Sequence, residues 1–334
     1  MAFIDSIHCN FVRIYPLAMK RILAVIFALM SLSCFAEDRD SLLVMFWNLE
    51  NFFDHIDQGT GESDKEFSSY GTRRWTKKRF HVKCDAVAKG IMWIGEQYGR
   101  MPDVIGLAEI ENRGVLYKLL NTTLLRKYDY RIVHFESSDR RGIDVALLFR
   151  RSSMDTVFTS LRTPEHDGHK MNTRDILHVR MRLSDGDEMD FIVNHHPSKY
   201  GGEEESSGRR VSAMQSMMEL CDSLDSDGII SMGDFNDTPD APAFRLTEDR
   251  LMNKAGYLHQ RGEGTIRYEG RWDMIDMFLV SPELDTCTVM EVCRIPFLTV
   301  RDAKHTGLKP FRTYSGPRYI GGVSDHYPII LIMD

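Results

Sequence analysis

Two short segments of this chain combine residue types that can do chemistry with positions able to present them. In the first, the apolar run Ile229-Ile230-Ser231-Met232 passes through Gly233 into Asp234-Phe235-Asn236-Asp237-Thr238-Pro239. Residues i and i+2 leaving a strand project to the same side, so Asp234 and Asn236 can face one point. A carboxylate there can take or polarise a proton, and an amide can hold an oxygen. In the second, Ser324-Asp325-His326-Tyr327-Pro328 enters the apolar run Ile329-Ile330-Leu331-Ile332. That puts a metal-capable carboxylate beside an ionisable ring. Taken singly, each pair also reads as turn chemistry, because Asx residues commonly close turns after strands.

Five further polar residues stand at the ends of apolar runs. Asn48 and Glu50 follow Phe46-Trp47, and Glu109 follows Val104-Ile105-Gly106-Leu107-Ala108. A charge at the end of such a run is costly unless it has a partner or a metal. Hard oxygen donors of this kind select magnesium, manganese or calcium rather than zinc. His195 closes Phe191-Ile192-Val193-Asn194, and Asp276 opens Met277-Phe278-Leu279-Val280. A carboxylate that orients a histidine recurs in acid-base chemistry, although either residue alone is as readily structural.

The elements that would position these residues can be read from the pattern. Strands are expected at 42–47, 104–108, 130–135, 145–149, 176–181, 191–194, 229–232, 277–280 and 329–332, many of them rich in Val, Ile and Phe. Phe80, Cys84, Val87, Ile91 and Ile94 mark one face of a helix over roughly 79–98. Val211, Met214, Met218 and Cys221 mark another over about 207–225. With no linker or repeat between them, these elements predict one α/β domain over 37–334. Two loops stand out, 55–79 and 302–324, since long irregular loops are usually functional or mobile. The first ends in Arg73-Arg74-Trp75-Thr76-Lys77-Lys78-Arg79, which could contact phosphate and stack a base or simply begin the following helix.

Taken together, NLEN, LAEIEN, RGIDVALLFR, VNHHPSK, GDFND, MIDMFLV and SDHYP resemble the endonuclease/exonuclease/phosphatase superfamily, over essentially all of 41–334 and in the family order. The wording is most similar to bacterial secreted nucleases. The resemblance implies a four-layered α/β sandwich, two face-to-face mixed β-sheets flanked by helices. It implies that Asn48, Glu109 and Asp325 bind metal, magnesium with manganese or calcium as alternatives. Asp234 would activate water for in-line attack on phosphorus and Asn236 would hold the phosphate. His326 would stabilise the transition state, Asp276 would orient it, and His195 would contact phosphate. Arg141, before the strand Val145–Phe149, and Lys199, after the His195 strand, are expected substrate contacts, with exposed surface cations as the alternative.

Composition bounds the partners. The 334 residues carry a formal charge of −7, which excludes a protein that coats nucleic acid through bulk positive charge but not an enzyme with local cations. A basic Met19-Lys20-Arg21, an apolar 22–32 and the small residues up to Ala36 predict a cleaved secretory signal with Met19 as the working start. The run is too short for a comfortable span. Lipidation at Cys34 is disfavoured by Ser31, where leucine is preferred. The sequence thus predicts an extension and signal over 1–36 and a secreted or periplasmic, monomeric protein with no stable protein partner. Cys84, Cys221, Cys287 and Cys293 show no CxxC spacing; Cys287 with Cys293 is the nearest pair for a disulfide, and buried thiols are the alternative. Three activities compete: a nuclease on DNA or RNA, a phosphatase or phosphodiesterase of phospholipids or inositol phosphates, and a non-catalytic binder. The second would use an exposed aromatic hairpin, which the sequence does not reveal.

Overall fold

A computed structural model of the chain describes residues 41–59, 61–199, 202–226 and 228–334; the expected signal over 1–36 and Cys34 lie outside the described residues. Two six-stranded sheets dominate. Their strands, in chain order, are β1 (Leu42–Phe52), β2 (Val104–Ile110), β3 (Tyr130–His134), β4 (Asp144–Arg150), β5 (Met154–Arg162), β6 (Ile176–Leu183), β7 (Glu188–His195), β8 (Ile229–Asp234), β9 (Met252–Asn253), β10 (Asp276–Val280), β11 (Thr288–Val292) and β12 (Ile329–Met333). The first sheet runs β11-β12-β1-β2-β4-β3 and the second β9-β10-β8-β7-β6-β5. Each has one parallel pair at its centre, β1 with β2 and β7 with β8. A parallel pair needs a crossover, and helices α1 (Lys77–Gln97) and α3 (Glu203–Asp222) lie within those two connections. Helix α2 (Arg113–Thr122) follows β2.

The layering follows from side-chain alternation. On β1, Leu42, Val44 and Phe46 join a core with Phe191, Val193 and Met232 of the second sheet. Leu43, Met45 and Trp47 point the other way, to Phe80, Cys84 and Val87 of α1. A strand buried on both faces reads as a continuous apolar run, which is why β1 is conspicuous in the sequence. Met214, Met217 and Cys221 of α3 belong to the core of the second sheet. The sheets approach closely at Gly106, where a Cβ would lie 2.5 Å from the Met232 sulfur.

Three elements lie outside the strands and helices expected from the sequence. Strand β5 is an edge strand with largely exposed side chains, β11 is a five-residue edge strand with alternating burial, and α2 buries Val115, Leu116, Leu119 and Leu120 on one face. The loop 55–79 departs from the base-stacking expectation. Trp75 is fully buried, with its indole N–H donating to the Phe53 carbonyl at 2.8 Å. Thr76 caps α1 by accepting from the Arg79 N–H. The loop 302–324 is built from short hairpin strands, including Tyr314–Ser315 paired with Arg318–Tyr319. Cys84, Cys221, Cys287 and Cys293 are free thiols. Among the described residues no helix is long and apolar enough to cross a membrane.

Candidate active site

Register alone assembles one half of the site. Asp234, the last residue of β8, lies opposite His195 on β7 and opposite Asp276 on β10. Gly233 permits this close approach, because a Cβ there would sit 2.5 Å from the Asn194 carbonyl oxygen. Asp276 Oδ2 meets the His326 Nδ1 at 2.8 Å. Asp234 Oδ2 accepts from Asn48 Nδ2 at 3.0 Å, and its Oδ1 accepts from the Asn236 N–H at 3.0 Å. The Nε2 atoms of His195 and His326 stand 3.6 and 3.9 Å from the same Oδ2. All four of these second-sheet and closing-loop residues are buried.

Burial makes their charges interdependent. Burial pushes the Asp234 carboxyl up to about 7, reinforced by the charge of Asp276 and opposed by His326 and by the bonds from Asn48 and Asn236. Burial also works against a charged His326 ring, but the charge and hydrogen bond of Asp276, then Asp234 and Asp325, hold its pKa well above the usual value. His195 goes the other way, lowered well below the usual value by burial and then by Arg174 and Arg141. One ring is thus favoured as a cation and the other as a neutral imidazole, the divergence that separates acid-base roles.

The other half is built by irregular backbone. The register of β1 shifts between Asn48 and Phe52, and that of β2 between Ala108 and Ile110. Bulges re-aim side chains at strand ends. Glu50, Asn51 and Glu109 take left-handed φ values of 46°, 53° and 62°; on the second-sheet side, Asn236 after β8 takes 52°. At Glu50 and Glu109 this backbone costs roughly 1–2 kcal/mol, and strain of this sort clusters at functional sites. The strained turns are held by specific bonds. Glu109 Oε2 accepts from the Asn51 N–H at 2.6 Å, and Arg141 approaches its Oε1 at 3.5 Å. Ser324 Oγ donates to the Asn48 carbonyl at 2.6 Å and accepts from the His326 N–H at 3.0 Å. The serine before Asp325-His326 therefore ties the closing loop to β1.

Among these residues, Asn48, Glu109 and Asp325 supply oxygen donors from three chain segments. No thiol joins them, and Glu50 adds a further carboxylate. This donor chemistry fits a hard divalent cation. Asp234, Asp276 and His326 also place one ligand atom each within 4.8 Å of the others, but the Asp276–His326 hydrogen bond already satisfies two of the three.

Four residues with no role expected from the sequence complete the arrangement. Arg312 donates to Glu50 Oε1 from Nε at 3.1 Å and Nη2 at 2.9 Å, and its Nη2 stands 3.1 Å from Asp325 Oδ2. Glu50 Oε2 accepts from the Thr313 N–H at 2.8 Å, and Lys83 donates to the Glu50 carbonyl at 2.6 Å. Burial and then the charge of Asp325 push the Glu50 carboxyl up to about 7, against Arg312 and Lys83. Buried Arg174 donates to the His196 carbonyl at 2.6 Å and pairs with Asp139 at 3.2 Å. Of the expected substrate contacts, half-exposed Arg141 faces Glu109, whereas Lys199 is directed to Asp237 at 3.9 Å. The Asn236 amide donates to the His196 carbonyl at 3.0 Å.

An aromatic hairpin absent from the sequence reading does exist. Ile266–Tyr268 pairs with Arg271–Asp273, and Ile266 bridges to His326. Glu269 and Gly270 at its tip both have positive φ, the requirement of a type I′ turn. Tyr268 beside that tip is 68% exposed, whereas Trp272 stacks on Tyr327 with ring centroids 5.7 Å apart.

Residues 43–334 match a family model described as the Endonuclease/Exonuclease/phosphatase family. No curated protein sequence matches the chain. Solved structures with the same fold include the human Nocturnin catalytic domain with bound sulfate, 16% identical, TM-score 0.54, with 88% of this chain and 93% of that one covered. D. rerio TDP2 complexed with a single-strand DNA product is 17% identical, TM-score 0.54, covering 88% and 99%. The Bacteroides thetaiotaomicron mannosyl-6-phosphatase Bt3783 is 15% identical, TM-score 0.53, covering 88% and 100%.

Proposed function

This chain belongs to the endonuclease/exonuclease/phosphatase family, whose members are metal-dependent phosphoesterases, and we propose that it is an endonuclease hydrolysing phosphodiesters of DNA or RNA. The observation that carries the hydrolytic part is the convergence on Asp234 Oδ2. Asn48 arrives there from the first sheet, His195 from the neighbouring strand and His326 from the closing loop. Asp234 takes the proton of the attacking water as the new P–O bond forms and the bond to the leaving oxygen breaks. His326, held by Asp276, and His195 stand where ring N–H groups can hold the non-bridging oxygens, with Asn236 as a further donor; preorganised donors of this kind stabilise the developing charge. Asn48, Glu109 and Asp325 would hold a divalent cation, magnesium with manganese or calcium as alternatives. That ion would offset negative charge on the phosphate.

The nucleic-acid part rests on cations at the rim. Half-exposed Arg141 and Arg312 lean on different carboxylates, Glu109 and Asp325, which suits a chain carrying phosphates on both sides of the scissile one. A second reading, hydrolysis of phospholipid or inositol phosphate substrates, draws support from exposed Tyr268 on the hairpin bridged to His326. One panel separates them: plasmid, single strand, RNA, abasic duplex, sphingomyelin and inositol phosphates, each with magnesium, manganese or calcium. Nucleic-acid cleavage that falls steeply with salt supports the favoured reading. Turnover confined to the lipid or inositol substrates overturns it. The same proposal has the protein act as a secreted or periplasmic monomer, one domain following a cleaved signal over 1–36. The N-terminal sequence of the exported protein tests that part.

A further inference from the structure

Beyond the Asp234 rim, a second set of ligating side chains closes the hairpin of β3 and β4. His134 ends β3, Glu136 follows two residues later, and Asp144 opens β4. One ligand atom from each lies within 4.8 Å of the others. His134 is 8% exposed and Asp144 is buried, while Glu136 faces solvent. Asp144 Oδ1 is committed, accepting from the Ser137 N–H at 2.9 Å. Its Oδ2 stands 3.4 Å from His134 Nε2, yet Nε2 is a buried nitrogen with no hydrogen-bond partner. The pair is close without the direction of a hydrogen bond. Two donors each at the usual distance from a tetrahedral zinc sit about 3.4 Å apart.

We propose that His134, Asp144 and Glu136 form a second cation site, separate from Asn48, Glu109 and Asp325, that takes a borderline transition ion, zinc first. An imidazole with two carboxylates suits zinc or manganese, where the all-oxygen rim suits magnesium. Glu136 on the solvent side gives the ion an entry path and room for a water ligand. Asp144 pairs across the sheet with Ile110, the residue after Glu109. Residues 137–143 run between Glu136 and Asp144 and carry Arg141, which approaches Glu109. An ion there clamps both ends of the segment that delivers Arg141 to the rim.

The test is zinc binding by the full chain in excess magnesium, read by calorimetry and by absorption of the cobalt-substituted protein. The wild type binds one equivalent that survives His326→Ala. Glu136→Gln, at an exposed position, weakens it at least ~10-fold, with an unchanged melting temperature in chelator. His134→Gln abolishes it. A wild type that binds zinc no better than His134→Gln, or Glu136→Gln binding as tightly as wild type, overturns the site and leaves a buried histidine–aspartate contact without an ion. An equivalent lost in His326→Ala but kept in His134→Gln places zinc at the rim and overturns it equally.

Discussion

The two halves of the site are made by opposite means. On the second sheet, His195, Asp234 and Asp276 stand side by side through uninterrupted register, at the ends of buried strands. On the first sheet, Glu50, Asn51 and Glu109 reach the rim through register shifts and left-handed backbone, and their partners Arg141, Arg312 and Asp325 are partly exposed. The regular half holds groups whose charges are set by burial and by one another, as proton transfer requires. The irregular half offers oxygen donors and arginines at the solvent edge. Regular strand ends hold the buried, coupled groups, and most of the left-handed backbone lies beside the partly exposed ones.

The largest expected effect breaks the regular half. Asp234→Asn or His326→Ala lowers kcat at least ~100-fold, the scale of a lost acid-base or electrostatic group, with an unchanged circular dichroism spectrum. Near-wild-type turnover in either variant would remove the division of labour. Asp276 touches His326 rather than substrate, so it is a positioning residue. Asp276→Asn should lower kcat on the order of 10- to 100-fold and leave KM within about threefold, a split seen in steady-state kinetics. On the irregular half, Glu109→Gln should weaken metal binding at least ~10-fold, read by calorimetry.

The smallest effect on rate comes from the far end of the second sheet. Asp190 on β7 accepts from His178 at 2.6 Å and from Arg180 at 2.9 Å through each oxygen. Burial opposes its charge, but these bonds prevail and hold its pKa down at about 2. The folded value lies below the unfolded one. The stabilisation is therefore present above about pH 4 and is lost as pH falls towards about 2. Asp190→Asn should lower urea stability at neutral pH, narrow its gap from wild type across that acid window, and leave kcat unchanged.

How legible each half was in the sequence follows from the same contrast. His195, Asp234 and Asp276 are polar residues at the ends of apolar strands, and a reader of alternation meets them directly. Glu109 was legible for the same reason. The pairing of Glu50 with Arg312 was not, because 262 residues separate them and left-handed φ at Glu50 turns its side chain away from the strand pattern. Arg174 and Lys83 carry ordinary surface residue types, and only the folded chain buries them. Trp75 misled in the opposite sense, since its basic neighbours concealed a core residue. Strand β5 escaped notice because an edge strand with mostly exposed side chains has little hydrophobic alternation to display.

The most direct test measures metal binding and single-turnover hydrolysis of a phosphodiester on the same samples of wild type, Asp234→Asn and Glu109→Gln. The division between the halves predicts that Asp234→Asn binds metal within about threefold of wild type while its rate falls at least ~100-fold, and that Glu109→Gln loses metal affinity. Asp234→Asn losing metal as severely as Glu109→Gln, or wild-type hydrolysis surviving full chelation, would contradict it.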